Sequence, residues 1–432
     1  MQDASNGHTT ASPGFTPQSA PQRSRYDIAI VGGGIVGLAT ARELLLRKPG
    51  LHLIVLEKDA AIASQQSGHN SGVLHTGIYY APGSLKAQAC VEGHRRLMTF
   101  CEEKGISYEL CGKLIVALNE NELPRLEELY RRGTANGVVG LELVGPERLR
   151  EIEPHAAGIK AIYSPTTGIV DFVGVAHAYA RSVQERGGEI VVGHRVTTIA
   201  TRGASAMLIT RRSSGREVGL EIEATHVITC AGLQSDQVSA FGQGKRDVRI
   251  VPFRGDYYLL RPEKRRLVRA LIYPVPDPRF PFLGVHFTRR LNGEIWAGPN
   301  AVLAFAREGY RRWDLAPGDL WDALSYRGFW KMAAKYWRTG LEEMYRDYSK
   351  QAYVKELQRY LPELRADDLL PGPSGVRAQA VASDGRLLDD FLIRRGERTI
   401  HVQNAPSPAA TSSLMVASLI ADQAESLFDL DQ

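Results

Sequence analysis

No apolar run in this chain reaches the roughly 18–20 residues that a membrane-spanning helix needs. Cysteine is scarce as well, with Cys90, Cys101, Cys111 and Cys230 the only four in 432 residues. None forms a CxxC, and no HExxH or other His/Cys group has ligand spacing, so no metal site is expected. Free thiols in a reducing compartment are the simple reading. Net charge is only +5 and the basic residues are scattered, which argues against nucleic acid as a partner. Internal repeats are absent too. Residues 1–25 are Ser, Thr, Pro, Gln and Gly with almost no large apolar side chain, so a disordered tail is expected there. That tail has no apolar segment of the secretory kind, and a cytoplasmic location is the expectation.

What is present is ordinary globular composition, 44% hydrophobic, in a chain long enough for two or three domains' worth of core. The organising stretch runs from Tyr26 to Leu44. Ile28-Ala-Ile-Val reads as a buried parallel strand, followed by a glycine turn and a helix of small apolar residues. Gly32, Gly34 and Gly37 have dinucleotide spacing. The first suits a tight turn, the second lets backbone approach a pyrophosphate, and the third lets helix pack on strand. The free amides and partial positive charge of the helix N-terminus suit a diphosphate. A second apolar strand, His52-Leu-Ile-Val-Leu, runs into Glu57, whose carboxylate suits ribose hydroxyls and disfavours a 2′-phosphate. This spacing alone would also suit NAD.

Further along, Ser64 to Tyr80 is a polar loop with glycines around His69 and His75, as expected of backbone held against a flat ligand. Lys86–Lys104 reads as an amphipathic helix, and Ile106–Leu118 as one alternating strand. Val196–Ile199, Ala206–Arg211 and Gly219–Ile222 look like an antiparallel meander. The segment from Ala224 to Asp236 reads as strand, Ala-Gly turn and helix. Strands of a second, antiparallel sheet follow from Val248 to Gly298. Trp313–Leu361 is helical and rich in aromatics and bases, and the end returns to a strand, Thr399–Gln403, and a final helix.

Several blocks are more specific than the glycine motif. They include Gly68-His-Asn-Ser-Gly-Val-Leu-His-Thr-Gly, Cys111-Gly-Lys, Pro252-Phe-Arg-Gly-Asp-Tyr, Ile272-Tyr-Pro-Val-Pro-Asp-Pro, Gly375-Val-Arg-Ala-Gln-Ala and Asn404-Ala-Pro-Ser-Pro-Ala-Ala-Thr-Ser. From about Tyr26 to Leu427 the chain resembles the glutathione-reductase-type FAD oxidoreductases of the D-amino-acid-oxidase superfamily. More narrowly, it resembles the L-2-hydroxyglutarate dehydrogenases, also called oxidases. The resemblance implies an α/β fold: a discontinuous Rossmann-like FAD domain (residues 26–105, 166–246 and 375–432) and an α+β, antiparallel-sheet substrate domain (106–165 and 247–374), with a helical insertion at about 311–361. It implies oxidation of L-2-hydroxyglutarate to 2-oxoglutarate.

On that resemblance the expected cofactor contacts are Gly32, Gly34, Gly37, Glu57, Lys58, Gly68, His69, Asn70, Ser71, Val196, Ala231, Gly232, Ala405, Pro408, Ala410, Thr411 and Ser412. The turn before the last helix would point its positive end at the flavin, although prolines there are also ordinary capping chemistry. Oxidising an alcohol beside a carboxylate needs a base and cations that fix C2. His75 and His286 are the candidate bases, each with the alternative of a histidine satisfied by backbone or water. Arg377 is the expected carboxylate clamp, with Arg254 for the distal carboxylate, Tyr258 (or its neighbour Tyr257) as donor, and Lys113 and Arg289 as further cations. A lone charge beside a strand is otherwise a solvated edge. Trp313, Trp321, Trp330 and Trp337 among bases suggest a surface that docks on a membrane where a quinone reoxidises the flavin; the alternative is helices packed on the substrate sheet. Other readings stay open: an FAD oxidase or dehydrogenase of an amino acid or glycerol 3-phosphate, or a flavin-binding module without turnover.

Overall fold

The computed structural model describes residues 15–213, 218–243, 246–277 and 283–428. Arg25–Val31 is the central strand of a parallel core. Leu53–Leu56 lies on one side of it, with Glu189–Val191 beyond, and Val218–Thr229 lies on the other, with Thr399–Asn404 beyond. Its residues are apolar on both faces because both faces are covered. Ile28 and Ile30 face a layer of helices, Ile35–Arg47, Phe172–Glu185 and Ser413–Phe428. Ala29 and Val31 face the side where the meander His194–Arg202, Ser205–Arg212 and Val218–Thr229 packs. The period of two in the sequence thus separates two cores.

A second sheet has the order Val302–Leu303, Val248–Leu260, Ile295–Gly298, His286–Arg289, Leu271–Pro274, Lys113–Ala117, Lys160–Ser164, Glu142–Val144. Leu369–Ala382 lies along Val248–Leu260 over most of its length. Residue 375, expected to mark re-entry into the first domain, falls in the middle of that continuous strand; the chain rejoins the first sheet at Leu392–Arg395. The expected strand Ile106–Leu118 is two, Tyr108–Glu109 and Lys113–Ala117. Gly112 separates them at φ +78°, a left-handed turn that ends pairing. The helix Leu85–Lys104 begins at Ser84, whose hydroxyl accepts from the Ala87 amide, and ends at left-handed Gly105.

The expected disordered tail lies outside the described residues up to residue 14, but from Phe15 onward it is placed. Phe15 packs on the helical core, Gln18 bridges Val191, and the Gln22 amide donates to Glu189. A polar segment can lie on a sheet edge by satisfying backbone groups rather than burying side chains. In the insertion, Tyr326, Phe329 and Met332 pack on Val251 and Val381. Trp313 and Trp321 are 74% and 72% exposed, and Trp330 and Trp337 also face outward. Among the described residues no helix is long and apolar enough to cross a membrane.

Candidate active site

At the glycine turn, sterics demand the residues found. Gly32 has φ +116°, and a Cβ there or on Gly37 would run into backbone carbonyls, of Cys230 and Gly32 respectively. Gly34 meets only the Ser67 hydroxyl, which also accepts from the Ile35 amide at 2.9 Å. Glu57 is buried and accepts from Gly33 N–H at 2.7 Å and Asp59 N–H at 2.8 Å. Burial raises its pKa while those amides oppose the rise. Each oxygen keeps a second lone pair for a ribose hydroxyl. Lys58 is held by Asp59 and Glu308 at 2.7 and 2.9 Å. Ala231 and Gly232, the latter at φ +50°, present small residues beside Gln66, while Val196 is buried in the meander core.

The loop after Glu57 is tied down by its own polar groups. The Asn70 amide donates to the Gln66 and Ser67 carbonyls and its oxygen accepts from Gly72 N–H. Exposed Gly68 and His69 and half-buried Ser71 complete it; the His69 ring stacks on Tyr310 at 3.9 Å. Arg290 packs against Gly72 and donates to the Asn70 carbonyl. The turn Ala405–Ser412, with half-buried Ala405 and Ala410 and buried Pro408, meets this loop at Thr411, whose hydroxyl accepts from His75 N–H at 3.2 Å. The Ser412 hydroxyl and the Gln403 side-chain amide oxygen are buried with no hydrogen-bond partner among the described residues. Orphaned acceptors and donors of this kind, with glycine cradles that a Cβ would fill, fit a large polar cofactor laid between the two sheets.

The second sheet supplies a polar row across four neighbouring strands. Lys113 is paired in register with Ser164 on one side and Leu271 on the other, and Tyr273, two residues beyond Leu271 on the same face, lies next to His286. Tyr273 and His286 stack at 3.9 Å. The Lys113 ammonium sits 3.8 Å from the Tyr273 ring centroid and 4.4 Å from that of Tyr79. Lys113 and His75 line one small cavity together with Thr76, Tyr79 and Thr167. Burial drives the Lys113 ammonium down to about 7 and His286 to about 3. Burial likewise holds His75 well below its ordinary value, with the charge of Lys113 adding to it. Both imidazoles are therefore neutral at pH 7. His286 Nδ1 lies 2.8 Å from the Gly284 carbonyl, which fixes the proton on that nitrogen and leaves Nε2 with its lone pair.

Arg377 opposes Phe253 across the sheet. Its side chain is exposed, and its charge is felt at Tyr257, Tyr273 and His286. His75, His286, Lys113 and Arg377 are thus brought together, though their sequence positions span more than half the chain.

Arg254 and Tyr258 are not in this group. Arg254 is buried with its Nε 2.8 Å from Asp256 and Nη2 3.6 Å from Asp347. Residues 254 and 377 are one register step apart, so alternation sends them to opposite faces. Tyr258 shares the Arg254 side and packs edge-on to Tyr353 at 5.0 Å. Tyr257 is the neighbour that faces Arg377. Arg289 pairs with Glu109 at the edge, 3.2 Å away, as a solvated charge would. Lys113 is the opposite case, 1% exposed. Tyr79, Tyr273 and Arg290 were not singled out from sequence, and Tyr257 was named only as the alternative to Tyr258. The alternation of the Ile272-Tyr-Pro block was the available signal for Tyr273. Among the described residues no cluster of His, Cys, Asp and Glu could hold a metal ion.

Comparison with known proteins gives the class first. The family model of FAD dependent oxidoreductases matches residues 27–423. The fold agrees: TM-score is 0.74, at 22% identity, with L-alpha-glycerophosphate oxidase from Mycoplasma pneumoniae with FAD bound, covering 92% of this chain and 94% of that one. Glycine oxidase from Geobacillus kaustophilus superposes with a TM-score of 0.67 at 18% identity, covering 94% and 95%. The chain belongs to the FAD dependent oxidoreductases, and within them to the L-2-hydroxyglutarate dehydrogenase family. It is 52% identical to the mitochondrial L-2-hydroxyglutarate dehydrogenase of Nematostella vectensis over 94% of this chain and 91% of the relative. It is 49% identical to that of Homo sapiens (94% and 90% covered) and 46% identical to the L-2-hydroxyglutarate dehydrogenase of Indibacter alkaliphilus (92% and 98% covered). The protein is an FAD-dependent dehydrogenase and its cofactor is FAD.

Proposed function

We propose that this enzyme oxidises L-2-hydroxyglutarate to 2-oxoglutarate and passes the electrons to a membrane quinone. The observation that carries the substrate reading is a neutral histidine of fixed tautomer, His286, beside an accessible guanidinium, Arg377. The names of relatives 46–52% identical to this chain supply the particular hydroxy acid. FAD, when bound, would supply the acceptor for the C2 hydrogen and its electron pair. Arg377 holds the carboxylate next to C2 through its planar fork. His286 Nε2 takes the hydroxyl proton, and two substrate carboxylates entering the site raise its basicity. His75, anchored to Thr411, lines the same space. Gly32, Gly34, Gly37 and Glu57 would hold the dinucleotide half of the cofactor, and the Ala405–Ser412 turn would hold its flavin half.

Anaerobic mixing tests this. L-2-Hydroxyglutarate should bleach the flavin absorbance, whereas the D-enantiomer, glycerol 3-phosphate and amino acids should not. Bleaching by an amino acid in its place would refute the assignment. For the acceptor, the exposed Trp313, Trp321, Trp330 and Trp337 lie among Lys331, Lys335 and Arg338, and amphipathic aromatics with bases suit a lipid interface. On this reading the enzyme sits peripherally on the inner face of the cell membrane. Protein that stays unbound at low salt, with quinone reduction unchanged after Trp-to-Ser changes, would exclude docking.

A further inference from the structure

Lys113 is a buried cation with no anion. It is 1% exposed, and among the described residues no carboxylate lies within ion-pair distance of its ammonium. Its positive charge rests instead on two ring faces, those of Tyr79 and Tyr273. Such contacts offset only part of the cost of removing an ammonium from water. Two further features make the surroundings polar. The Tyr79 hydroxyl is buried without a hydrogen-bond partner among the described residues. Thr76, Ser164 and Thr167 form a buried ring of hydroxyls beside Lys113, with Thr167 Oγ1 2.9 Å from Ser164 Oγ and 3.1 Å from Thr76 Oγ1. A cation flanked by hydroxyls, lining with His75 a crevice too narrow for a water molecule as it stands, is the chemistry of a carboxylate site that side-chain movement must open. It lies across the polar row from Arg377, with His286 between the two strands that carry them.

We propose that Lys113 is the specificity-determining residue of this site, receiving the substrate's second carboxylate, the one remote from the reacting C2. Arg377 and Lys113 then divide the two ends of a dicarboxylic hydroxy acid. A monocarboxylate of the same length would leave Lys113 unpaired. The inference rests on the substrate reading above.

A pH signature follows. The groups facing Lys113 are His75, Tyr79 and Tyr80 from the loop, Lys86, Cys90 and His94 from the helix Leu85–Lys104, Tyr273 and His286 from adjacent strands, and Arg377 beyond. The three histidines are held below 6.5 and the tyrosines and Cys90 above their ordinary values, so none changes charge near pH 7. Lys113, brought down to about 7, does. Only its charged form binds a carboxylate, so affinity for the dianion is full below that value. It falls up to tenfold per pH unit above it until the bound form titrates.

The test uses the FAD-loaded enzyme and two reductants, L-2-hydroxyglutarate and L-2-hydroxypentanoate, which has a methyl where the far carboxylate would be. Lys113→Met should lower kcat/KM for the diacid by roughly 10²-fold and leave the monoacid nearly unchanged, so the preference collapses. Lys113→Arg should restore part of it. Non-reacting glutarate and butyrate, titrated into wild type and followed through the flavin spectrum, supply a readout that needs no variant. Glutarate should bind more tightly, and its affinity should fall above pH 7 while that of butyrate stays flat. An unchanged diacid preference in Lys113→Met, equal losses on both substrates, or glutarate affinity that rises with pH would overturn the proposal while leaving the substrate reading intact. No bleaching of the wild type by L-2-hydroxyglutarate would overturn both.

Discussion

Arg307 and Lys113 are each 1% exposed, yet the fold treats their charges in opposite ways. Arg307 reaches Asp236 at 2.5 and 3.0 Å and Asp322 at 2.6 Å, and Arg246 bonds both carboxylates as well. Its segment also carries Glu308, which binds Lys58 and Gln234, so the network staples the second domain's coil to the nucleotide domain. Lys113 has only aromatic faces and a histidine pair. A buried charge surrounded by fixed counter-charges is already neutralised and gains little from an ionic ligand. One left without them holds free energy that only a ligand can recover. Arg254 and Arg377 differ in exposure on two faces of one pair of strands, the first buried between Asp256 and Asp347, the second exposed with its charge felt at His286.

The largest expected effect separates the two classes by stability. Arg307→Met leaves Asp236 and Asp322 facing each other with too little positive charge, and should cost about 3–5 kcal/mol of unfolding free energy in urea titration. Lys113→Met removes an ammonium that burial already disfavours, so stability should hold or rise. Equal destabilisation by both would end the distinction. Next come the two arginines. Arg377→Ala should raise the substrate requirement by roughly 2–5 kcal/mol with FAD retained, because a buried carboxylate loses its charged partner. Arg254→Ala should lower the melting temperature and leave the diacid preference alone. Steady-state kinetics beside thermal unfolding reads both, and a KM effect confined to Arg254 would reverse the assignment.

A smaller effect concerns the histidines. His286 must be neutral to accept a proton, and burial sets its free-enzyme value near 3. The acid limb of kcat/KM should therefore lie well below the 6.5 of a free imidazole, with the rate flat above it. His286→Ala should remove that limb and lower kcat by about 10²-fold, the low end for general bases, because a base so far below neutrality is weak. An acid limb at 6.5 that survives His286→Ala would move the role to another group.

How far these distinctions were legible in the chain depends on their range. Ile28 and Ile30 against Ala29 and Val31 told of a strand buried on both faces, and the glycines of the turn told of backbone crowding, because both are local. The same alternation said correctly that Tyr257 and Tyr258 face opposite ways. It does not say which faces the site, because that is fixed by the pairing of Phe253 with Arg377, distant in sequence. Arg254 looked like a clamp because Asp347, its partner, lies in the helical insertion. Lys113 looked like an edge charge because the two rings that bracket it come from a loop before it and a strand far after it. Residue type reports that a charge exists. Whether it is paired is a property of the fold.

The smallest predicted change tests whether the cavity of Lys113 is built for a ligand or only tolerates a charge. Tyr79 contributes a ring face to the ammonium and, separately, a buried hydroxyl that bonds to nothing among the described residues. Tyr79→Phe keeps the face and removes the hydroxyl. If that oxygen has no function, its loss relieves an unsatisfied group, and stability should rise slightly with kinetics unchanged. If it donates to the far carboxylate, kcat/KM for L-2-hydroxyglutarate should fall by about 0.5–1.5 kcal/mol, a few-fold, with no change for L-2-hydroxypentanoate. We expect the second result, together with the slight gain in stability. An orphan hydroxyl that strains the free protein and binds in the complex would show that the polar side of this cavity, like its unpaired cation, is complementary to a molecule rather than to the rest of the chain.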